Sequence, residues 1–173
     1  MNKSKVVVLS ALSSAFATIS LVVGSYFPNL SLAAAFTASV FMMLVLVKRS
    51  YKGGIMAYLS TVILSGIFTG FFTRWDALFP FIIFMGLHPL VNVFLEDKKV
   101  NKIVAIIAKD IWFVVSLTLM HLLTKVYIGD NEFINTYIYP ILIVGGALIF
   151  PLYDYMMEWF FKTLENIMKR LKL

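Results

Sequence analysis

Cysteine is absent from this chain of 173 residues, and charged residues are scarce. Without thiols the chain has no disulfide framework, no cysteine nucleophile and no cysteine-ligated metal. Charged residues make up 14% of the chain, while hydrophobic residues make up 61%. A soluble domain of this length could not bury so much apolar surface, whereas a lipid bilayer accommodates it. The composition therefore indicates one compact membrane domain with no soluble catalytic domain beside it.

Sequence motifs of the common catalytic sites are absent as well. The chain contains no H-E-x-x-H, no G-x-S-x-G, no S-x-x-K and no G-x-x-x-x-G-K-[ST]. Because the last of these binds nucleotide phosphates, we do not expect the chain to hydrolyse ATP. Its two histidines are too few to indicate a metal or haem site. We therefore expect a protein that is not an enzyme and that holds neither a metal nor another cofactor.

Six long apolar segments, separated by short polar joints, are what the sequence does contain. Each is long enough to cross, as a helix, a hydrocarbon core about 30 Å thick. Helix is required because no water is available there to satisfy the backbone of an open strand. The predicted spans are residues 6–27, 30–47, 55–72 and 77–95, a fifth that begins between 103 and 111 and ends near 127, and 134–153.

The positive charges of the chain are sorted by side of the membrane. If the N-terminus is cytoplasmic, 13 of the 15 lysines and arginines lie on the cytoplasmic side, and only Arg74 and Lys125 lie outside. The positive-inside rule favours this orientation over its reverse. Because the cations lie at helix ends and not on one groove-sized face, nucleic-acid binding is not expected. The sequence thus predicts an all-α, multi-pass protein of the cell membrane, a single bundle of six transmembrane helices with both termini cytoplasmic.

The C-terminal segment, residues 155–173, differs from the transmembrane domain, residues 1–154. Its apolar residues recur at helical spacing, and Glu158/Lys162 and Glu165/Lys169 are i,i+4 pairs on its polar side. This pattern predicts an amphipathic helix on the cytoplasmic side. One interpretation is a helix on the inner leaflet that is held by anionic lipid. The other is a docking surface for a cytoplasmic partner.

Polar residues follow one face of the fifth predicted helix. Asp110, Val114, Thr118, His121 and Lys125 fall within an arc of about 80°, and four of these five side chains are polar. Ionisable residues at membrane depth are costly, so we expect this arc to face the bundle interior or a water-filled pocket. For His121, ligand binding and structural hydrogen bonding are both open.

Aromatic residues gather at the outer ends of the predicted helices. An interfacial aromatic belt accounts for most of them, although some could line a pocket for a flat organic ligand. The candidate substrate-binding residues are the following side chains of this outer region: Trp75, His121, Lys125, Asn135 and Tyr139. Functional and structural roles are both open for His88, Asp110 and Asp154, and the structural reading of Asp154 puts it at the interface beside the lysines of the tail.

One side of the first predicted helix consists of small residues. They are Ser10, Ser13, Ser14, Ala17, Ser20 and Gly24. Ala11 and Ala15 form an A-x-x-x-A step beside them. Small residues allow the backbones of membrane helices to approach closely. This face therefore suggests close contact with a neighbour, either within the chain or on another subunit.

The same region carries a family resemblance. Ala11-Leu12-Ser13-Ser14-Ala15 is followed by Gly24 and by Pro28-Asn29, which leads into a short outer loop. With its size and topology, the chain resembles the substrate-binding S components of energy-coupling factor transporters, which are small six-helix bacterial membrane proteins with cytoplasmic termini. In that family an A-x-x-x-A step in helix one packs against the transmembrane coupling subunit, and substrate lies near the outer face. The resemblance implies that Ala11 and Ala15 are coupling contacts.

The function implied by this resemblance is uptake of a small molecule. The chain would capture a vitamin-like substrate from outside and work with a transmembrane coupling subunit and ATPase subunits. Lys52-Gly53-Gly54 departs from the family, since many members have a Gly-Pro-containing turn in this region. The MreD-type cell-shape proteins share the size and a similar topology. A non-transporting membrane scaffold for cell-envelope assembly is therefore the alternative, and it predicts no small-molecule ligand.

Overall fold

The computed structural model describes residues 3–71, 73–124 and 136–170. Every long regular element in this part of the chain is a helix. The α-helices are α1 (Lys3–Tyr26), α2 (Ser31–Leu46), α3 (Tyr51–Phe68), α4 (Trp75–Pro80), α5 (His88–Asp97), α6 (Lys102–Thr124) and α7 (Ile138–Arg170). Within the described residues, six helical segments are long and apolar enough to cross a membrane, with α4 and α5 forming one of them. The all-helical class with six candidate spans is confirmed.

Most helix boundaries differ from the predicted spans by a few residues, whereas α7 continues to Arg170, well past the predicted end of the sixth span at residue 153. α3 begins at Tyr51, earlier than predicted, because the hydroxyl of Ser50 caps it by accepting a hydrogen bond from the Gly53 amide at 3.3 Å. α6 begins at Lys102, just before the range allowed for the fifth span. The predicted span residues 72, 125–127 and 134–135 lie outside the described part of the chain.

The fourth span is interrupted after Pro80. A proline inside a helix removes a backbone N–H and crowds the preceding turn. The turn that follows, Phe81–Met85, is π-helical, and the Gly86 amide donates to the Phe81 carbonyl at 2.9 Å. A Cβ at Gly86 would lie 2.7 Å from the Phe81 ring, so glycine is needed where this ring packs. Pro89 lies in the first turn of α5, where a missing N–H is tolerated.

The chain divides into two compact units. The large unit comprises residues 1–99 and 157–173, and the small unit comprises residues 100–156. The apolar core of the large unit is formed by Ala17, Leu21, Ala35, Ala38, Met42, Val45, Leu46, Ala57, Leu78, Phe81 and Val93. Helix α7 contributes to both units and continues to Arg170, so the predicted tail follows the sixth span without a break in the helix.

Close packing of α1 against α2 and α3 organises the large unit. At Gly24 a Cβ would lie 2.2 Å from the Cβ of Ala34, so only glycine allows α1 and α2 to approach this closely. The Ser20 hydroxyl donates to the Ala34 carbonyl of α2 at 2.9 Å. The Ser10 hydroxyl donates to the Gly53 carbonyl of α3 at 3.1 Å. The neighbour that most of the small face of α1 approaches is therefore the same chain.

In the described part of the small unit, α6 and α7 pack against each other with a definite register. From one end to the other, the contacts are Lys109 with Asp154, Phe113 with Phe150, the Leu117 side chain with Gly146, and His121 with Tyr139. Residue numbers rise along α6 as they fall along α7, so the two helices run antiparallel. This register places an ion pair at one end of the pair of helices, an aromatic contact between two rings with polar groups at the other end, and apolar contacts between them.

Candidate functional site

His121 and Tyr139, two of the five candidate substrate-binding residues, are brought together by the register of α6 and α7. Their ring centroids lie 5.6 Å apart, and the rings meet edge to face at 84°. The imidazole is half-buried, whereas Tyr139 is 42% exposed. Aromatic pairs favour this edge-to-face geometry. The contact brings an imidazole and a phenol ring together at one end of the small unit.

The structure describes none of the other three candidate residues at this contact. Lys125 and Asn135 lie outside the described residues. Trp75 belongs to the large unit, where it packs edge to face against Phe79 with the ring centroids 5.6 Å apart. Trp75 is 38% exposed, so part of the indole stays accessible.

The candidate coupling residues, Ala11 and Ala15, are both exposed on α1. The neighbouring Ser13 and Ala17 are completely buried in the large unit. The A-x-x-x-A step and most of the small serine-rich side therefore have separate environments on the same helix. The two faces have similar small residues, so composition alone does not distinguish them, but the exposed fractions of their side chains do.

A buried ion pair between Lys109 and Asp154 was not predicted from the sequence. Lys109 Nζ lies 2.5 Å from Asp154 Oδ1, and the two side chains are only 8% and 12% exposed. Phe113 and Tyr153 stack beside the pair with their ring centroids 6.2 Å apart. Asp154 therefore bonds to a lysine of α6, whereas the sequence placed it at the interface beside the lysines of the tail. Two opposite charges at matching depth on the last two spans were the signal that could have identified this pair.

The predicted polar arc of α6 is only half-buried. Asp110, Val114, Thr118 and His121 all have intermediate exposure. The Thr118 hydroxyl donates to the Val114 carbonyl of its own helix at 2.9 Å. Asp110 Oδ1 has no hydrogen-bond partner among the described residues. The arc thus borders the contact between α6 and α7. Lys109, next to the arc, lies within that contact, where it pairs with Asp154.

At the end of the large unit predicted to be cytoplasmic, Arg49 joins three segments. Its guanidinium bonds to Asp97 at 2.7 Å and to Glu96 at 2.8 Å, and the Tyr51 hydroxyl also bonds to Asp97. Partial burial lowers the pKa of Arg49, but the hydrogen bond and charge of Glu96, followed by the charge of Asp97, outweigh it and leave the pKa raised. The guanidinium also lies 5.9 Å from the ring centroid of Phe161. Arg49 therefore connects the turn after α2 with the end of α5 and the last part of α7.

No group of three or more His, Asp or Glu side chains in residues 3–71, 73–124 and 136–170 is arranged to hold a metal ion. Comparison with protein-family models, with curated proteins and with solved structures finds no match for this chain.

Proposed function

We propose that this chain is the membrane-embedded, substrate-binding subunit of a micronutrient importer. It would capture a vitamin-like small molecule from outside the cell membrane and work with separate coupling and ATPase subunits. The observation that carries the proposal is on α1, where Ala11 and Ala15 are exposed while Ser13 and Ala17 are buried. A small-residue step that is free on the bundle surface can accept a second helix at close range.

The substrate is proposed to bind at the end of the small unit that carries His121 and Tyr139. An imidazole and a phenol each donate and accept hydrogen bonds and offer ring faces to a flat ligand. Binding sites for small molecules combine apolar and aromatic walls with a few polar groups of this kind. Lys125 and Asn135 complete the proposed set, with the lysine supplying a positive charge for an acidic group of the substrate, while Trp75 belongs to the large unit and stays a separate candidate.

Energy for uptake would come from the partners. The chain has no nucleotide-binding motif of the G-x-x-x-x-G-K-[ST] type. Movement of a small subunit against its partner through the Ala11/Ala15 surface would couple ATP hydrolysis elsewhere to release of the substrate inside.

Affinity purification of the tagged chain from its native membrane tests the coupling contact. We expect ATPase subunits to be recovered with the unmodified chain and to be lost with Ala15→Leu, whose side chain would hold the partner helix away. Ala108→Leu is the matched control, because Ala108 is an exposed alanine of α6 in the small unit. Recovery of no ATPase with the unmodified chain, or equal recovery with both variants, would contradict the proposal.

Mass spectrometry of small molecules that copurify with the chain tests the binding site. We expect one organic ligand in the unmodified chain and at least about tenfold less of it in His121→Ala, since a lost hydrogen bond and ring contact together exceed about 1.4 kcal/mol. The scaffold alternative predicts no ligand and full tolerance of His121→Ala and Lys125→Ala in cell-envelope assembly.

A further inference from the structure

A second surface of the large unit is basic and is not used by the proposed transport function. Lys52 at the start of α3 and Lys98 and Lys99 at the end of α5 are all exposed. We call these three residues the basic rim. The ion pairs of Arg49 with Glu96 and Asp97 tie the turn before α3 to the end of α5, so the three lysines share one edge of the unit.

Aromatic contacts fix the position of this rim. The rings of Tyr51 and Phe94 meet edge to face with their centroids 6.4 Å apart, which joins the first turn of α3 to α5. Lys98 Nζ lies 5.9 Å from the centroid of the Phe94 ring. Phe94 is itself 48% exposed. An ammonium group therefore stands over an exposed apolar ring, as lysines and aromatic residues do at the membrane interface.

The basic rim keeps its positive charge. No carboxylate in the described part of the chain pairs with Lys52, Lys98 or Lys99. Arg49 pairs with the neighbouring Glu96 and Asp97 but offsets only one of these two charges, so the three lysines and Arg49 leave this edge a net charge of about +2. The exposed lysines of the α7 tail are different. Lys162 lies 2.8 Å from Glu158, and Lys169 lies 2.9 Å from Glu165, so each of these two lysines is offset by a carboxylate one turn away, and Arg170 is the further cation of the described tail.

We propose that the basic rim is a binding site for the headgroup phosphate of an anionic phospholipid. Unpaired lysines near a membrane surface attract anionic lipids, and the exposed Phe94 ring provides apolar contact for the first carbons of the acyl chains. Exposed lysines beside an exposed aromatic ring fit a lipid better than a free anion, because a free anion has no apolar part to contact the Phe94 ring. The basic rim, and not the C-terminal tail, is then the main anionic-lipid contact of the chain.

Native mass spectrometry of the purified full chain in detergent, with added phosphatidylglycerol or phosphatidylcholine, tests this site. We expect the unmodified chain to retain phosphatidylglycerol in preference to phosphatidylcholine. Lys98→Gln/Lys99→Gln should lower the affinity for phosphatidylglycerol by about thirtyfold, since each lysine near an anionic surface accounts for about a fivefold change and two are removed. Lys162→Gln/Lys169→Gln is the matched control, since it removes the same charge from the tail, and its affinity should stay within about twofold of the unmodified chain.

Two further arms of the experiment test the role of charge and distinguish a lipid from a free phosphate ion. Lys98→Arg/Lys99→Arg retains the charge and should restore lipid binding if the fold is intact. Inorganic phosphate at millimolar concentration should not displace the lipid. Equal losses in the rim and tail variants, a larger loss in the tail variant, no preference for phosphatidylglycerol, or displacement by phosphate would each overturn the proposal.

Discussion

At the scale of single residues, two ion pairs of this chain differ in the exposed fraction of their side chains and hardly in the distance between their charged atoms. Lys109–Asp154 and Lys162–Glu158 have similar lengths of 2.5 and 2.8 Å. The first pair is nearly inaccessible, whereas the side chains of the second are 67% and 43% exposed. A buried charge that loses its partner is left without solvent to compensate it, while an exposed one regains water. The Lys109–Asp154 pair should therefore be much the more sensitive to substitution.

Replacement of Lys109 by methionine tests this difference. Lys109→Met removes the ammonium group that pairs with the buried Asp154 carboxylate, and we expect it to lower stability by about 3 kcal/mol. The measurement is unfolding of the purified chain in detergent, followed by circular dichroism. Lys162→Met should cost less than about 1 kcal/mol, and Lys109→Met/Asp154→Leu should recover much of the loss because both charges are removed. Equal destabilisation by the two single variants would contradict the interpretation.

At the scale of helices, glycine determines how closely α1 can approach α2. The hydrogen bond from Ser20 to the Ala34 carbonyl requires the two backbones to lie near each other, and Gly24 leaves the space for Ala34. Packing of this kind replaces the hydrophobic effect, which does not draw helices together in lipid. Replacing Gly24 by a larger residue should therefore move α1 and α2 apart or strain both helices.

Gly24→Ala places a Cβ where only 2.2 Å separates it from the Ala34 Cβ, and we expect a loss of about 1–3 kcal/mol in unfolding free energy. Gly145→Ala is the control, because a Cβ at Gly145 meets nothing within 4 Å and alanine favours helix. Stability in detergent is the measurement. Ala34→Gly should rescue Gly24→Ala by returning the space. A neutral Gly24→Ala variant would show that α1 and α2 are not held this closely.

The length of α7 also bears on the role of the tail. Its 33 residues span about 50 Å, well beyond a hydrocarbon core about 30 Å thick. A helix of this length in a bilayer must tilt or extend past the hydrocarbon. The i,i+4 pairs predicted for its C-terminal part, Glu158–Lys162 and Glu165–Lys169, are confirmed.

At the scale of the whole molecule, hydropathy predicted the number of spans because bilayer thickness sets the length of an apolar helix. Periodicity could also place His121 on one face of α6. It could not reveal that Lys109 meets Asp154, since the register of two helices depends on side chains that are distant in sequence. Likewise, the abundance of small residues marked α1 as a packing helix, but only burial shows that Ala11 and Ala15 lie apart from Ser13 and Ala17.

We propose that the chain crosses the membrane six times with both of its ends inside the cell. In this orientation the end of the small unit that carries His121 and Tyr139 faces the outside. Because the chain has no cysteine, single cysteines can be introduced without background labelling. Asn29→Cys, Lys99→Cys and Lys169→Cys place a thiol at exposed positions in three different joints or ends. With a membrane-impermeant maleimide on intact cells, we predict labelling of Asn29→Cys alone, and labelling of the other two only after permeabilisation. Labelling of Lys169→Cys in intact cells, with Lys99→Cys protected, would contradict the account.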